Sequence, residues 1–218
     1  MMIAARPLAL VFATLIEAQP LLRRLDAIPL RPADRSLFVP HGRHAFRNVL
    51  IFICGMGGPQ AQAALDGFTA GHTLRGVLNC GIAGSLTERY AVGDIVSVSA
   101  VGEIIASAPA AMLDLSTLPE ARWAGLPLSH TGAHLVTQDQ ALFDADRRAA
   151  LARHADLVDM EGAAIARICA ARNIPLSIIK GVSDHAVDRE SLLRNLEYAS
   201  TTLADFLFAR MARMTEAM

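Results

Sequence analysis

The chain has 218 residues, with 20 basic and 21 acidic side chains and a formal net charge of −1. Hydrophobic residues make up 53% and charged residues 19%, which excludes a disordered chain; a near-neutral chain with no basic run also lacks the electrostatic footprint of a nucleic-acid binder. The length suits one domain able to bury a large core.

The apolar run Leu8–Ala13 reads as a buried first strand. The stretch from Leu8 to Leu15 is too short to span a bilayer, and no small-residue cleavage site follows it. We therefore expect no membrane span and a cytoplasmic chain. Glu17–Leu25 has helical spacing, with Leu21, Leu22 and Leu25 on one face. Val49–Cys54 is a second strand. It runs into Gly55-Met56-Gly57-Gly58-Pro59, and Gln60–Ala70 follows as a helix with Pro59 in its first turn. Val77–Cys80 is a short strand ending at Gly81-Ile82-Ala83-Gly84, and Ile95–Val101 is another. Residues 106–135, with three prolines and Trp123, read as a loop-rich insertion. Asp139–Arg153 and Met160–Arg172 read as helices, the second stopped by Asn173 and Pro175. Leu176–Lys180 is a buried strand, and an amphipathic helix follows from Arg189.

Strands interleaved with helices and no linker predict a single domain over 1–218. The expected fold class is α/β, a three-layer α/β/α sandwich around a mixed, largely parallel sheet. Cys54, Cys80 and Cys169 are odd in number and form no CxxC pair, so they read as reduced core thiols. Nineteen of the twenty basic residues are arginine; Lys180 is the only lysine.

General motifs mostly fail. There is no P-loop, HExxH or GxSxG. Gly55-x-Gly57 follows a strand, but position 60 is Gln and no acidic partner stands at dinucleotide-binding distance. Ser177-x-x-Lys180 lies on a strand, where positions three apart face opposite sides. Three glycine-bearing strand ends remain: Gly55–Gly58, Gly81–Gly84 and Gly181–Asp184. Ligands of α/β sheets bind beyond the carboxyl ends of strands, and glycine there lets backbone amides approach them. Acidic residues mark the same ends. Glu17 follows the first strand, Glu161 opens an alanine-rich helix, and Asp184 follows Leu176–Lys180. No His/Cys/Asp cluster has metal-ligand spacing, and neither a metal nor a cofactor is expected.

Four blocks carry a resemblance. They are Asn79-Cys80-Gly81-Ile82-Ala83-Gly84-Ser85-Leu86, Val92–Val96, Val158-Asp159-Met160-Glu161-Gly162-Ala163-Ala164 and Ile179-Lys180-Gly181-Val182-Ser183-Asp184. In this order they resemble the signature blocks of the purine nucleoside phosphorylase / methylthioadenosine–adenosylhomocysteine nucleosidase superfamily, from residue 8 to about residue 208. The resemblance implies a nucleoside phosphorylase-like fold and a homo-oligomer, a dimer favoured. It implies that Asp184, with Ser183 beside it, meets purine N7 as general acid. Met160 and Glu161 would hold the ribose, and Ala83-Gly84 would lie along the nucleoside. Glu17, in Ala13-x-x-x-Glu17, would activate a water. Near the block Thr137-Gln138-Asp139, the segment Ala141–Phe143 would meet the base, with Leu142 and Phe143 as candidate contacts.

The chemistry suits these residue types. Cleaving an N-glycosidic bond puts positive charge on the sugar and negative charge on the base, so carboxylates near the sugar and a proton donor at the base are required. The nucleophile stays open. Bacterial phosphorylases of the superfamily carry an arginine and a serine where this chain has Asn79 and Ile82, which favours water. Phosphate could still meet the Gly55, Gly57 and Gly58 loop with Arg43 or Arg47. The first reading is hydrolysis of a purine nucleoside, 5′-modified adenosine for preference. The alternatives are phosphorolysis of a similar or bulky lipophilic nucleoside, as in the hopanoid-associated branch, and nucleoside binding without catalysis. Lys180, ending the strand that delivers Ser183 and Asp184, is expected to support the site by pairing with Glu161 or another carboxylate. His185 could tune Asp184.

Overall fold

The computed structural model describes residues 6–41, 46, 48–105, 108–109, 111–119 and 130–216. The chain begins β1 (Leu8–Phe12), α1 (Leu15–Arg24), β2 (Ile28–Arg31), β3 (Asp34–Val39), β4 (Val49–Ile53) and α2 (Gly58–Gly71). It continues β5 (Gly76–Ser85), β6 (Ile95–Ile105), β7 (Ala108–Pro109), β8 (Leu113–Asp114) and β9 (His130–Thr137). It ends α3 (Ala145–Leu151), β10 (Leu157–Asp159), α4 (Gly162–Ala171), β11 (Leu176–Asp184) and α5 (Arg189–Glu216).

All five residues of β1 are buried, because both faces of its sheet are covered. Side chains alternate between faces along a strand. Ala9 and Val11 join Ala61, Leu65, Ala163 and Ile165 of α2 and α4, whereas Leu8, Leu10 and Phe12 join Ala18, Leu21, Leu203 and Leu207 of α1 and α5. These two apolar clusters are the two interfaces of the expected three-layer sandwich.

The sheet runs β10-β9-β6-β11-β5-β1-β4-β3-β2 and is mixed. Its centre is parallel: β1 pairs with β4 and β5, and β5 with β11. At one end the sheet closes on itself, because β10 pairs with both β9 and β5. The strands β5, β11, β6, β9 and β10 thus form a ring. Leu86, Val136, Leu142, Leu151, Val158 and Ala186 pack as a third cluster beside it.

Several elements differ from the sequence expectation, each for a local reason. The two short glycine-ended strands are longer: Gly81–Gly84 of β5 continue in parallel register with Lys180–Asp184 of β11, bulged after Val182. Glycine and alanine carry no strand signal, so only the pairing reveals this extension. Part of the loop-rich insertion is sheet: β7 and β8 pair with β6, and β9 begins at His130. The helix expected over Asp139–Arg153 shortens to α3, because Asp144 caps it by accepting from the Arg147 N–H at 2.7 Å. The hairpin β2–β3 and the three-residue β10 had too little apolar periodicity to be seen. Leu193 of the long last helix α5 is exposed, so the apolar face there does not include it. Trp123, Arg43 and Arg47 lie outside the described residues.

Candidate active site

Thr14, two residues past β1, caps α1. Its hydroxyl accepts from the Glu17 N–H, and its own N–H and Oγ1 donate to Glu17 Oε2, both at 2.8 Å. This capping box fixes the Glu17 side chain. Glu17 Oε1 accepts from the Ile82 N–H of β5 at 3.1 Å. A carboxylate offers about four lone pairs. Glu17 uses three and keeps one on Oε1, the oxygen facing Gly81: a Cβ at that glycine would stand 2.9 Å from it.

Gly57 precedes α2 at φ 91°, a conformation L side chains rarely adopt. Its N–H donates to Glu161 Oε1 at 2.7 Å. Glu161 is the residue before α4 and makes no side-chain cap. Burial, then the neighbouring Asp159 charge, push its carboxyl up to about 7, against the pull of Lys180 and the Gly57 N–H.

Lys180 Nζ lies 2.9 Å from Asp159 Oδ2, with the two side chains only 2% and 1% exposed. Burial opposes the ammonium charge, but Asp159, Glu161 and Glu17 together more than offset it and hold the lysine above its ordinary range. Two further donors hold Asp159. It accepts from Thr137 Oγ1 at 2.6 Å and from the Gly162 N–H, while Thr137 Oγ1 accepts from the Ala163 N–H at 2.9 Å. The two side chains thereby satisfy the first amides of α4. The sequence had suggested Glu161 or another carboxylate as the partner of Lys180; it is Asp159.

Asp184, at the end of β11, is buried. Its Oδ2 accepts from Ser183 Oγ and its Oδ1 from the Ala186 N–H, both at 2.6 Å. Ser183 Oγ also lies 3.3 Å from the Ala83 carbonyl. A hydroxyl has one proton and can accept as well as donate, so Ser183 can serve Asp184 in either protonation state. A Cβ at Gly84 would stand 3.2 Å from Asp184 Oδ1, which keeps the neighbouring strand close to the carboxyl group. His185 Nδ1 is buried and has no hydrogen-bond partner among the described residues.

A cleft of about 340 Å³ is lined by Ile104, Gln138, Leu142, Phe143, Asp144 and Arg147. Leu142 is buried in the cluster that contains Ala186, and Phe143 is exposed. Met160 is half-buried, its carbonyl oxygen 3.9 Å from a Cβ built on Gly58. Among the described residues no group of three or more His, Cys, Asp or Glu could hold a metal ion. No helix among them is long and apolar enough to cross a membrane. The three cysteines are free and buried.

Glu17, Glu161 and Lys180 are therefore brought together, with Gly57, Gly81 and Ile82 around them. Sequence reasoning missed Asp159 and Thr137. A signal for the first existed: a lysine inside the apolar strand Ser177-Ile178-Ile179-Lys180 needs a buried carboxylate.

Buried carboxylates converging at the ends of a partly closed mixed sheet are the equipment of an enzyme. The chain belongs to the phosphorylase superfamily, whose model matches residues 7–212. A 5′-methylthioadenosine/S-adenosylhomocysteine nucleosidase of Shewanella frigidimarina is 31% identical over 169 residues, covering 66% of this chain and 72% of the relative. Among solved structures, a futalosine hydrolase mutant of Helicobacter pylori superposes with a TM-score of 0.77 at 17% identity, over 98% of this chain and 100% of that one. A Colwellia psychrerythraea 5′-methylthioadenosine/S-adenosylhomocysteine nucleosidase in complex with adenine gives 0.77 at 21% identity, over 96% of each chain.

Proposed function

We propose that the chain hydrolyses the N-glycosidic bond of a purine nucleoside, a 5′-modified adenosine for preference. One observation carries hydrolysis over phosphorolysis. The two amides best placed to hold an anion, Gly57 N–H and Ile82 N–H, are already bonded to the carboxylates of Glu161 and Glu17. The buried cation beside them, Lys180, is paired with Asp159. A phosphate dianion would meet two carboxylates and a neutralised lysine, and like charges at close range repel strongly in a buried site. A neutral water meets no such barrier.

In the proposed step the glycosidic C–N electron pair leaves with the base, and Asp184 supplies a proton to N7. Positive charge grows on the ribosyl ring next to Glu161. The water oxygen bonds to C1′ while its proton passes to Glu17. Afterwards Glu17 carries a proton and Asp184 has lost one; exchange with solvent restores both. Ser183 follows this change by turning its hydroxyl from Ala83 to Asp184. The relatives that support this reading are named for hydrolases of 5′-methylthioadenosine, S-adenosylhomocysteine and futalosine. We include in the proposal a cytoplasmic homo-oligomer, for which exposed Ile16 of α1 and exposed Met56 of the loop between β4 and α2 offer apolar surface.

The test is base release from 5′-methylthioadenosine, S-adenosylhomocysteine, futalosine, adenosine and inosine, each with and without phosphate. Release independent of phosphate is expected. Strict phosphate dependence would overturn hydrolysis, and tight binding without release would make the chain a binding protein.

A further inference from the structure

We propose that Thr137 is a positioning residue for Glu161: its hydroxyl takes the helix amide that would otherwise capture the Glu161 carboxylate. The proposal rests on the nucleoside-cleaving reading, in which Glu161 holds the ribose, and adds the residue that keeps Glu161 free to do so.

Glu161 stands at the N-cap position of α4. A side chain there ordinarily accepts from the second or third amide of its helix, and the positive end of the helix dipole draws a carboxylate the same way. The second amide of α4 belongs to Ala163. Glu161 makes no cap bond. Its Oε1 turns away to the Gly57 N–H at 2.7 Å.

Two other residues cap α4 in its place. Asp159 accepts from the first amide, the Gly162 N–H, at 2.9 Å. Thr137 Oγ1 accepts from the second, the Ala163 N–H, also at 2.9 Å. The single hydroxyl proton of Thr137 goes to Asp159 Oδ1 at 2.6 Å, so its lone pairs are left for the helix. The sheet brings this cap from afar. Thr137 is the last residue of β9 and stands in parallel register with Asp159, the last residue of β10. The closure of the ring therefore delivers a hydroxyl to the start of α4.

Thr137 is buried. Without its hydroxyl, the Ala163 amide becomes a donor with no partner, which costs more than a bond exchanged with water. The carboxylate two residues earlier can satisfy that amide as an ordinary N-cap. In doing so Glu161 leaves Gly57 and the ribose. A misplacement of about 1 Å at a site can cost roughly a hundredfold in rate.

The experiment compares Thr137→Val, which keeps the shape without the hydroxyl, Thr137→Ala as a smaller second variant, and Thr137→Ser, which restores the hydroxyl. Kinetics use 5′-methylthioadenosine. Calorimetry uses adenine and 9-deazaadenosine, whose carbon–carbon link between base and sugar cannot be hydrolysed. We expect the valine and alanine variants to lose roughly ten- to a hundredfold in kcat/KM, and the serine variant to stay within about threefold of the wild type. Affinity for 9-deazaadenosine should fall about tenfold and affinity for adenine should hold, because only the former carries the ribose. Glu161→Gln supplies the second background. If Thr137 acts through Glu161, adding Thr137→Val to Glu161→Gln lowers kcat/KM little further. The same fold-loss in both backgrounds would overturn the proposal and make the hydroxyl a cap for stability alone. A serine variant as poor as valine, or equal weakening of adenine and 9-deazaadenosine, would overturn it too. These outcomes leave hydrolysis intact. Selective loss of 9-deazaadenosine affinity in a protein that releases no base would uphold this proposal and overturn hydrolysis.

Discussion

Lys180 Nζ and Asp159 Oδ2 meet at 2.9 Å with almost no solvent contact on either side chain. Removing one partner strands the other as an uncompensated buried charge. Lys180→Met should therefore cost about 3–5 kcal/mol of stability, a typical value for breaking a buried pair. The double variant Lys180→Met/Asp159→Asn carries no stranded charge and should recover part of that loss. Urea unfolding of the wild type, both single variants and the double variant measures the coupling. Additive losses would show that the pair contributes nothing as a pair.

The Glu161 carboxyl, pushed up to about 7 by burial and then by Asp159, gives a pH dependence with a definite sign. The folded state holds this proton more tightly than the unfolded chain. Its contribution to stability is complete below the ordinary value of 4.5 and is lost as pH rises through about 7. Turnover runs the other way, because the sugar cation needs the ionised form: kcat/KM should rise through about pH 7. Glu161→Gln should abolish this limb. Asp159→Asn should move it to lower pH and Lys180→Met to higher pH, since the first charge raises the carboxyl and the second lowers it. A limb that ignores both substitutions belongs to another group.

Asp184 is the group asked to hand a proton to the departing base. Asp184→Asn keeps the size and one oxygen but has no acidic proton. Turnover should fall by roughly 10²–10⁴, the usual contribution of general acid catalysis. Binding should survive, since both hydrogen bonds seen at the carboxylate come from donors that an amide oxygen can also accept in part. Single-turnover rates and calorimetric affinity separate the two effects. Near-normal turnover would remove Asp184 as the acid.

The parallel centre and its helices were legible because buried strands such as Leu8–Phe12 are continuous apolar runs and α1, α2 and α4 have clear starts. The ring was not. It depends on β10, three residues long, reaching both β9 and β5, and no periodicity exists over three residues. Glu17, Glu161, Asp184 and Lys180 stood out at strand and helix ends. Asp159 did not, because between Val158 and Met160 an acidic residue looks like any other helix-start dipole partner.

Gly81→Ala tests whether Glu17 is held for a purpose. The new Cβ would stand 2.9 Å from Glu17 Oε1 and 3.8 Å from Lys180 Nζ. Glu17 cannot step aside freely, since Oε1 is held by the Ile82 N–H at 3.1 Å and Oε2 by Thr14 at 2.8 Å. Gly81 also stands at φ +156°, where an L side chain is strained, so either the backbone shifts or the Ile82 bond or the capping box breaks, and losing the box costs about 1 kcal/mol. We expect a modest fall in stability and a fall of at least tenfold in kcat, with KM little changed, because the displaced oxygen is the one that would take the water's proton. Gly67→Ala is the control: it lies within α2, and nothing stands within 4 Å of its Cβ. There alanine should stabilise the helix slightly and leave kcat alone. If Gly81→Ala keeps full turnover, Glu17 Oε1 is not the proton acceptor.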